Sequence, residues 1–142
     1  MSPFEASLSN NGAPLANARV KLWYTWATTE GEDAAGHTVY FTTNEEGYVS
    51  MPSIEKKIFI SNMQPNASMY TIEVEVDEGF ETIADITKRS PDLYSELGSK
   101  VPDMKCDLES PMTSIKEKNI NSRFISVCEW TGSDSLSKKV LD

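Results

Sequence analysis

The chain predicts an all-β protein, an antiparallel β-sandwich of about 7–9 strands with one short helix. Three observations carry this. Apolar and polar residues alternate over short runs, turns rich in Gly, Pro and Asn separate the runs, and helical periodicity is almost absent. At 142 residues the chain fits one domain and can bury roughly two thirds of its unfolded surface. The expected layout is a sandwich over 1–130, with a short helical insertion near 90–98, and a mobile tail over 131–142 that offers little to bury.

The elements follow in order. Phe4, Ala6 and Leu8 alternate with Glu5, Ser7 and Ser9, the period of a half-buried strand. Asn10-Asn11-Gly12 tolerates positive φ and Pro14 fixes φ just after it, which makes a turn. Ala18, Val20, Leu22, Tyr24 and Trp26 share one parity and Arg19, Lys21, Trp23 and Thr25 the other, so the second strand is long and carries an aromatic on each face. Residues 28–37 are small and acidic with two glycines, a surface loop. Thr38 to Thr43 returns as a strand, Asn44-Glu45-Glu46-Gly47 turns it, and Tyr48 to Met51 leads away until Pro52.

Ile58 to Ile60 reads as a short apolar strand. Tyr70 to Val76 is the best patterned, with Tyr70, Ile72, Val74 and Val76 inward and Thr71, Glu73 and Glu75 in water. Asp77-Glu78-Gly79 closes a hairpin into Phe80 to Thr87, whose alternation is broken by Ile83. Ser90-Pro91-Asp92 has the makings of a helix start and Gly98 of its end. Met104, Cys106 and Leu108 alternate as a strand, and Phe124, Ser126, Cys128 and Trp130 share the parity of a last one.

Charge and cysteines bound the function. The net charge is −9, a balance that repels nucleic acid and anionic lipid. No apolar run approaches the roughly 18 residues of a membrane helix. Met1-Ser2-Pro3-Phe4-Glu5 has neither a basic n-region nor an apolar h-region, so the expected location is cytoplasmic. There Cys106 and Cys128 would be reduced core residues, and they would pair only in an exported chain.

Catalytic chemistry is not written in the sequence. His37 is the one histidine, at the edge of an acidic loop, and the cysteines form no CxxC, so a zinc site lacks its ligands. A nucleophile triad would need His37 as base, and no Gly-x-Ser-x-Gly elbow presents a serine. Carboxylate pairs such as Glu45-Glu46 fall in turns or on exposed faces, not in clefts that tune pKa. Glu30, Glu32 and Asp33 cluster on one loop without the EF-hand spacing for calcium. No cofactor, metal or catalytic residue is expected.

Two features read as binding surfaces. One is a carboxylate ridge of Glu73, Glu75, Asp77, Glu78 and Glu81 along one hairpin, able to steer a basic partner, against the plainer reading of a solvated outer face. The other is Trp23 with Trp26: their opposite parity puts one at a surface, where it would anchor a protein or stack on a sugar, unless a second buried layer covers it.

Asn11-Gly12-Ala13-Pro14-Leu15-Ala16-Asn17-Ala18-Arg19-Val20 resembles the N-G-x-P-L-x-x-A-x-V opening of transthyretin-like and carboxypeptidase-regulatory-like sandwiches, and Thr43-Asn44-Glu45-Glu46-Gly47-Tyr48-Val49-Ser50 resembles their T-[DN]-E-x-G-x-[FV]-x hallmark. The resemblance covers about the first third and implies fold, not activity. Transthyretin-related hydroxyisourate hydrolases use several histidines and end in Tyr-Arg-Gly-Ser, which this chain lacks, and isopeptide-forming modules need a first-strand lysine where Phe4 to Leu8 has none. The remainder, including Cys106-Asp107-Leu108, is similar to uncharacterised bacterial transthyretin-like proteins linked to type VI secretion effectors. That implies an immunity protein that binds a cognate toxin. The alternative is a carbohydrate- or cell-surface-binding accessory module using Trp23 or Trp26. Paired edge strands would make a homodimer, and nothing in the sequence selects the edge.

Overall fold

The computed structural model describes residues 4–28, 31–32, 36–52, 65–77, 79–88, 103–116, 123–130 and 137–140. Every regular element among them is a strand: β1 (Phe4–Asn10), β2 (Ala13–Pro14), β3 (Arg19–Thr28), β4 (Gly31–Glu32), β5 (His37–Thr42), β6 (Tyr48–Met51), β7 (Pro65–Val76), β8 (Gly79–Lys88), β9 (Lys105–Asp107), β10 (Thr113–Lys116), β11 (Arg123–Ser126), β12 (Cys128–Glu129) and β13 (Ser137–Val140). The short helix expected near 90–98 and the strand expected at Ile58–Ile60 lie outside the described residues.

The strands form two sheets. The smaller runs β12-β9-β1-β2, with β6 also on β1, and the larger runs β13-β10-β11-β8-β7-β3-β4, with β5 also on β3. All pairs are antiparallel except β1 with β9. One core cluster draws on both sheets. Phe4, Ala6, Leu8, Val49, Met51, Cys106 and Cys128 come from the smaller, and Val20, Leu22, Tyr70, Ile72, Val74, Ile83, Ala84, Ile86 and Phe124 from the larger. Period-two alternation follows because each strand has one dry face. Each large aliphatic side chain taken fully from water contributes roughly 1.5–3 kcal/mol before entropy opposes it.

Register explains the exceptions to alternation. On β7 and β8, Ile72 faces Ala84 but Glu73 faces Thr82, so Ile83 is the extra residue of a β-bulge. Ile83 and Ala84 are both wholly buried. The parity that Ile83 breaks is therefore the bulge itself.

The expected last strand is divided. β11 pairs with β8 in the larger sheet and β12 with β9 in the smaller. Between them Val127 donates its N–H to Ile83 O at 3.1 Å, and Ser126 Oγ accepts the Cys128 N–H at 3.1 Å. Ser126, Val127 and Cys128 are all buried because the chain is crossing between layers there. This division, and the two-residue strands β2, β4 and β12, raise the strand count above the expected range.

Within the stretch read as a tail, the described residues Ser137–Val140 pair with β10, Thr113 facing Val140 and Lys116 facing Ser137. An outermost strand is held by backbone bonds along one side, so it needs no apolar pattern, and lysines suit an edge.

The two glycine turns read from the sequence meet each other. Thr43, 2% exposed, accepts the Ala18 N–H at 2.8 Å and donates to Leu15 O at 2.5 Å. Asn44 Oδ1 accepts the N–H groups of Glu46 and Tyr48 at 2.9 and 3.0 Å, shaping the second turn. Gly47, at φ 81°, offers its carbonyl to Leu8 N–H at 2.8 Å. A side chain at Gly47 would drive into Leu8 O.

Candidate interaction surface

The outward parity of β3 sets the candidate surface. Lys21 lies opposite Tyr40 of β5 and Glu73 of β7, and Trp23 opposite Thr38 and Thr71. Thr71 in turn faces Asp85, and Asp85 faces Ile125. One face of the larger sheet thus displays a mixed aromatic and ionic patch.

Its contacts are specific. The Arg19 guanidinium sits 3.8 Å from the centroid of the Tyr40 ring, a stacking that orders both groups in water. Lys21 Nζ lies 3.6 Å from Glu73 Oε1 and 4.9 Å from the Phe80 ring centroid. Tyr40 is 47% exposed, the most exposed large apolar side chain among the described residues. Trp23 is half-buried, and Gly36, at φ 64°, lies so close to its indole that a Cβ there would overlap Nε1 and Cε2. β5, which carries Tyr40, has no buried residue.

The carboxylate ridge does not form one face. Glu73 is engaged by Lys21, and Glu75 is exposed on the same face opposite Phe80. Asp77 stands in the turn at φ 48°. Glu81 lies opposite Val74, a core residue, and so belongs to the other face. Glu78 lies outside the described residues. Trp26 occupies β3 opposite Ser68, three positions from Trp23 and on the opposite parity. Sequence reading missed Arg19 and Tyr40, because only the β3–β5 register brings them together.

A second polar constellation joins the first turn to β9. Asp107 Oδ1 accepts the N–H groups of Asn11 and Glu109 at 3.0 and 2.9 Å. Its Oδ2 accepts the Gly12 N–H and the Ser9 hydroxyl, both at 2.8 Å. Hydrogen bonds from Gly12, Glu109 and Ser9 hold its carboxyl down at about 2.

The cysteines depart from the reduced pair expected of a cytosolic chain. Cys106 and Cys128 face each other on β9 and β12 with Cα atoms 4.0 Å apart, and their sulfurs are bonded. Adjacent-strand register places them together, which a separation of 22 residues conceals.

His37 stacks on Tyr24, ring centroids 5.2 Å apart. Among the described residues no three His, Cys, Asp or Glu side chains are grouped to hold a metal ion, and no helix is long and apolar enough to cross a membrane.

The fold and this surface define a two-sheet, all-β module with an open, aromatic-bearing face. The chain belongs to a family described as a domain of unknown function, DUF6795, which matches residues 4–111. That match takes in β1 to β9, including both glycine turns, Trp23, Tyr40 and Asp107. No curated protein and no solved structure matches the chain.

Proposed function

We propose that this chain is a non-enzymatic protein-binding module that grips its partner through the outer face of the larger sheet at its β5 side, and that the partner is a cognate antibacterial toxin it neutralises as an immunity protein. The observation that carries the surface is Arg19 stacked on the exposed Tyr40 with Trp23 on the same face. Arg, Tyr and Trp are the residue types that dominate binding energy in protein interfaces, because they bury large areas at low entropic cost. The toxin as partner rests on the similarity to bacterial proteins linked to type VI secretion effectors. The excess of acidic groups would speed capture of a basic partner and make the rate fall with salt. The bonded Cys106–Cys128 pair is of a kind kept in an oxidising compartment, which favours a meeting place outside the cytosol over the cytosolic one expected from the N-terminal residues.

The test is co-expression with the product of the adjacent reading frame. The chain should restore growth to cells making that protein, and calorimetry should give a tight complex. Arg19→Ala and Tyr40→Ala should each weaken it about tenfold or more, with Glu129→Ala on the smaller sheet as a silent control. Undiminished binding by the Arg19→Ala, Tyr40→Ala double variant would remove this surface from the reading. A glycan array that lights up and goes dark with Trp23→Ala would replace the partner with a carbohydrate.

A further inference from the structure

We infer that Asn11–Gly12 is a latent self-modification site, a pair able to close to a succinimide, and that Asp107 keeps it shut in the folded chain. It is the one Asn-Gly step in the sequence. In an unrestrained pair the glycine nitrogen attacks the asparagine Cγ. An N–C bond forms, the nitrogen gives up its proton, the Cγ–N bond of the side-chain amide breaks, and ammonia leaves. Water then opens the five-membered ring at either carbonyl to leave aspartate or isoaspartate. No oxidant or reductant takes part, and glycine hinders the attack least because it has no Cβ.

The surroundings would otherwise favour the reaction. Asn11 and Gly12 are both exposed, in a turn with Asn11 at φ 52°. The attacking nitrogen, however, is not at liberty. Gly12 N–H donates to Asp107 Oδ2 at 2.8 Å, and Asn11 N–H to Oδ1 at 3.0 Å, so both peptide planes of the turn are fixed by one carboxylate. Turning the Gly12 nitrogen toward Cγ breaks a charge-assisted bond. The same negative charge opposes loss of the Gly12 proton. Both effects slow ring closure.

Conversion would also be one-way. A carboxylate at position 11 would stand beside Asp107, like charge against like, and isoaspartate would lengthen the backbone by one carbon where Asn10 faces Ala13 and Ser9 faces Pro14. A turn once opened long enough to react would not close in its former register. The site therefore records exposure of this end of the sandwich.

Peptide mapping with isoaspartate detection on the full chain tests this, at mildly alkaline pH, native and in denaturant. Native wild type should convert at least about tenfold more slowly than the denatured chain. Asp107→Ala, its fold checked by circular dichroism, should lose most of that protection. Asp107→Asn, close in shape and without the charge, should lose part, and it decides the matter if Asp107→Ala does not fold. Hydrogen exchange of the exposed Gly12 amide should be slow in wild type. Equal conversion of native and denatured wild type, unprotected exchange at Gly12, or a folded Asp107 variant as slow as wild type would each overturn the inference.

Discussion

Asp107 Oδ2 accepts the Gly12 N–H at 2.8 Å across 95 residues of sequence, and so ties the β1–β2 turn to β9. Its four donors recognise the ionised form, which lowers the folded-state pKa from the ordinary 3.8 to about 2. Protonation is then harder in the folded chain than in the unfolded one. The stabilisation is complete above the unfolded value and is lost as pH falls through the folded one, a window from about pH 4 down to about pH 2. Urea midpoints of wild type and Asp107→Asn should differ at neutral pH and converge across that window. A gap that stays constant down to the acid end would contradict the assignment.

The Cys106–Cys128 bond closes a loop of 22 residues. Restricting the unfolded chain to that loop contributes roughly 3 kcal/mol on the chain-entropy account. Reduction, or replacement of both cysteines by alanine, should lower the denaturation free energy by about that much, with an added loss from the buried sulfurs in the double variant. Alkylation of the unreduced, denatured chain should label neither cysteine. Two labelled thiols in protein taken from its native host would refute the bond.

Gly47 combines a left-handed backbone with a carbonyl oxygen, that of Leu8, only 2.5 Å from where a Cβ would sit. Gly47→Ala therefore suffers both φ strain and a backbone collision with Leu8. A loss of about 1–3 kcal/mol is expected, read as a lower thermal midpoint. The β1–β6 pairing should weaken most, seen as faster amide exchange at Leu8.

Neighbours on β7 should behave in opposite ways. Glu73→Gln breaks a partly exposed ion pair with Lys21 and should change stability by less than about 1 kcal/mol. Ile72→Ala, wholly buried one residue earlier, should cost about 2–5 kcal/mol. Denaturant titrations of the two variants, side by side, measure the contrast between the outer face and the core.

Much of the fold was legible in the sequence because burial on one face imposes a period. Phe4-Ala6-Leu8, Val20-Leu22 and Tyr70-Ile72-Val74 are core residues on the parity expected of them. The Asn11-Gly12 and Asn44-Gly47 turns stand where they were read, with positive φ at Asn11, Gly12 and Gly47. The candidate surface was less legible. The β7–β8 register pairs Glu75 with Phe80 and Val74 with Glu81, which splits the apparent ridge between faces. Arg19 and Tyr40 carried no local signal, since cation and ring come from different strands.

By itself, then, the sequence determined which residues alternate, where the chain bends, and that a two-layer β structure would bury the apolar set, because these depend on interactions within a few residues and on the pleat. Tertiary structure alone decided the Cys106–Cys128 bond, the crossing at Val127, the seating of Ser137–Val140 on β10 and the clasp of Asp107 on Asn11 and Gly12. Each joins groups whose meeting is set by strand order and register. Backbone donors and acceptors are common to nearly every residue, so no side-chain pattern announces which distant pair will use them.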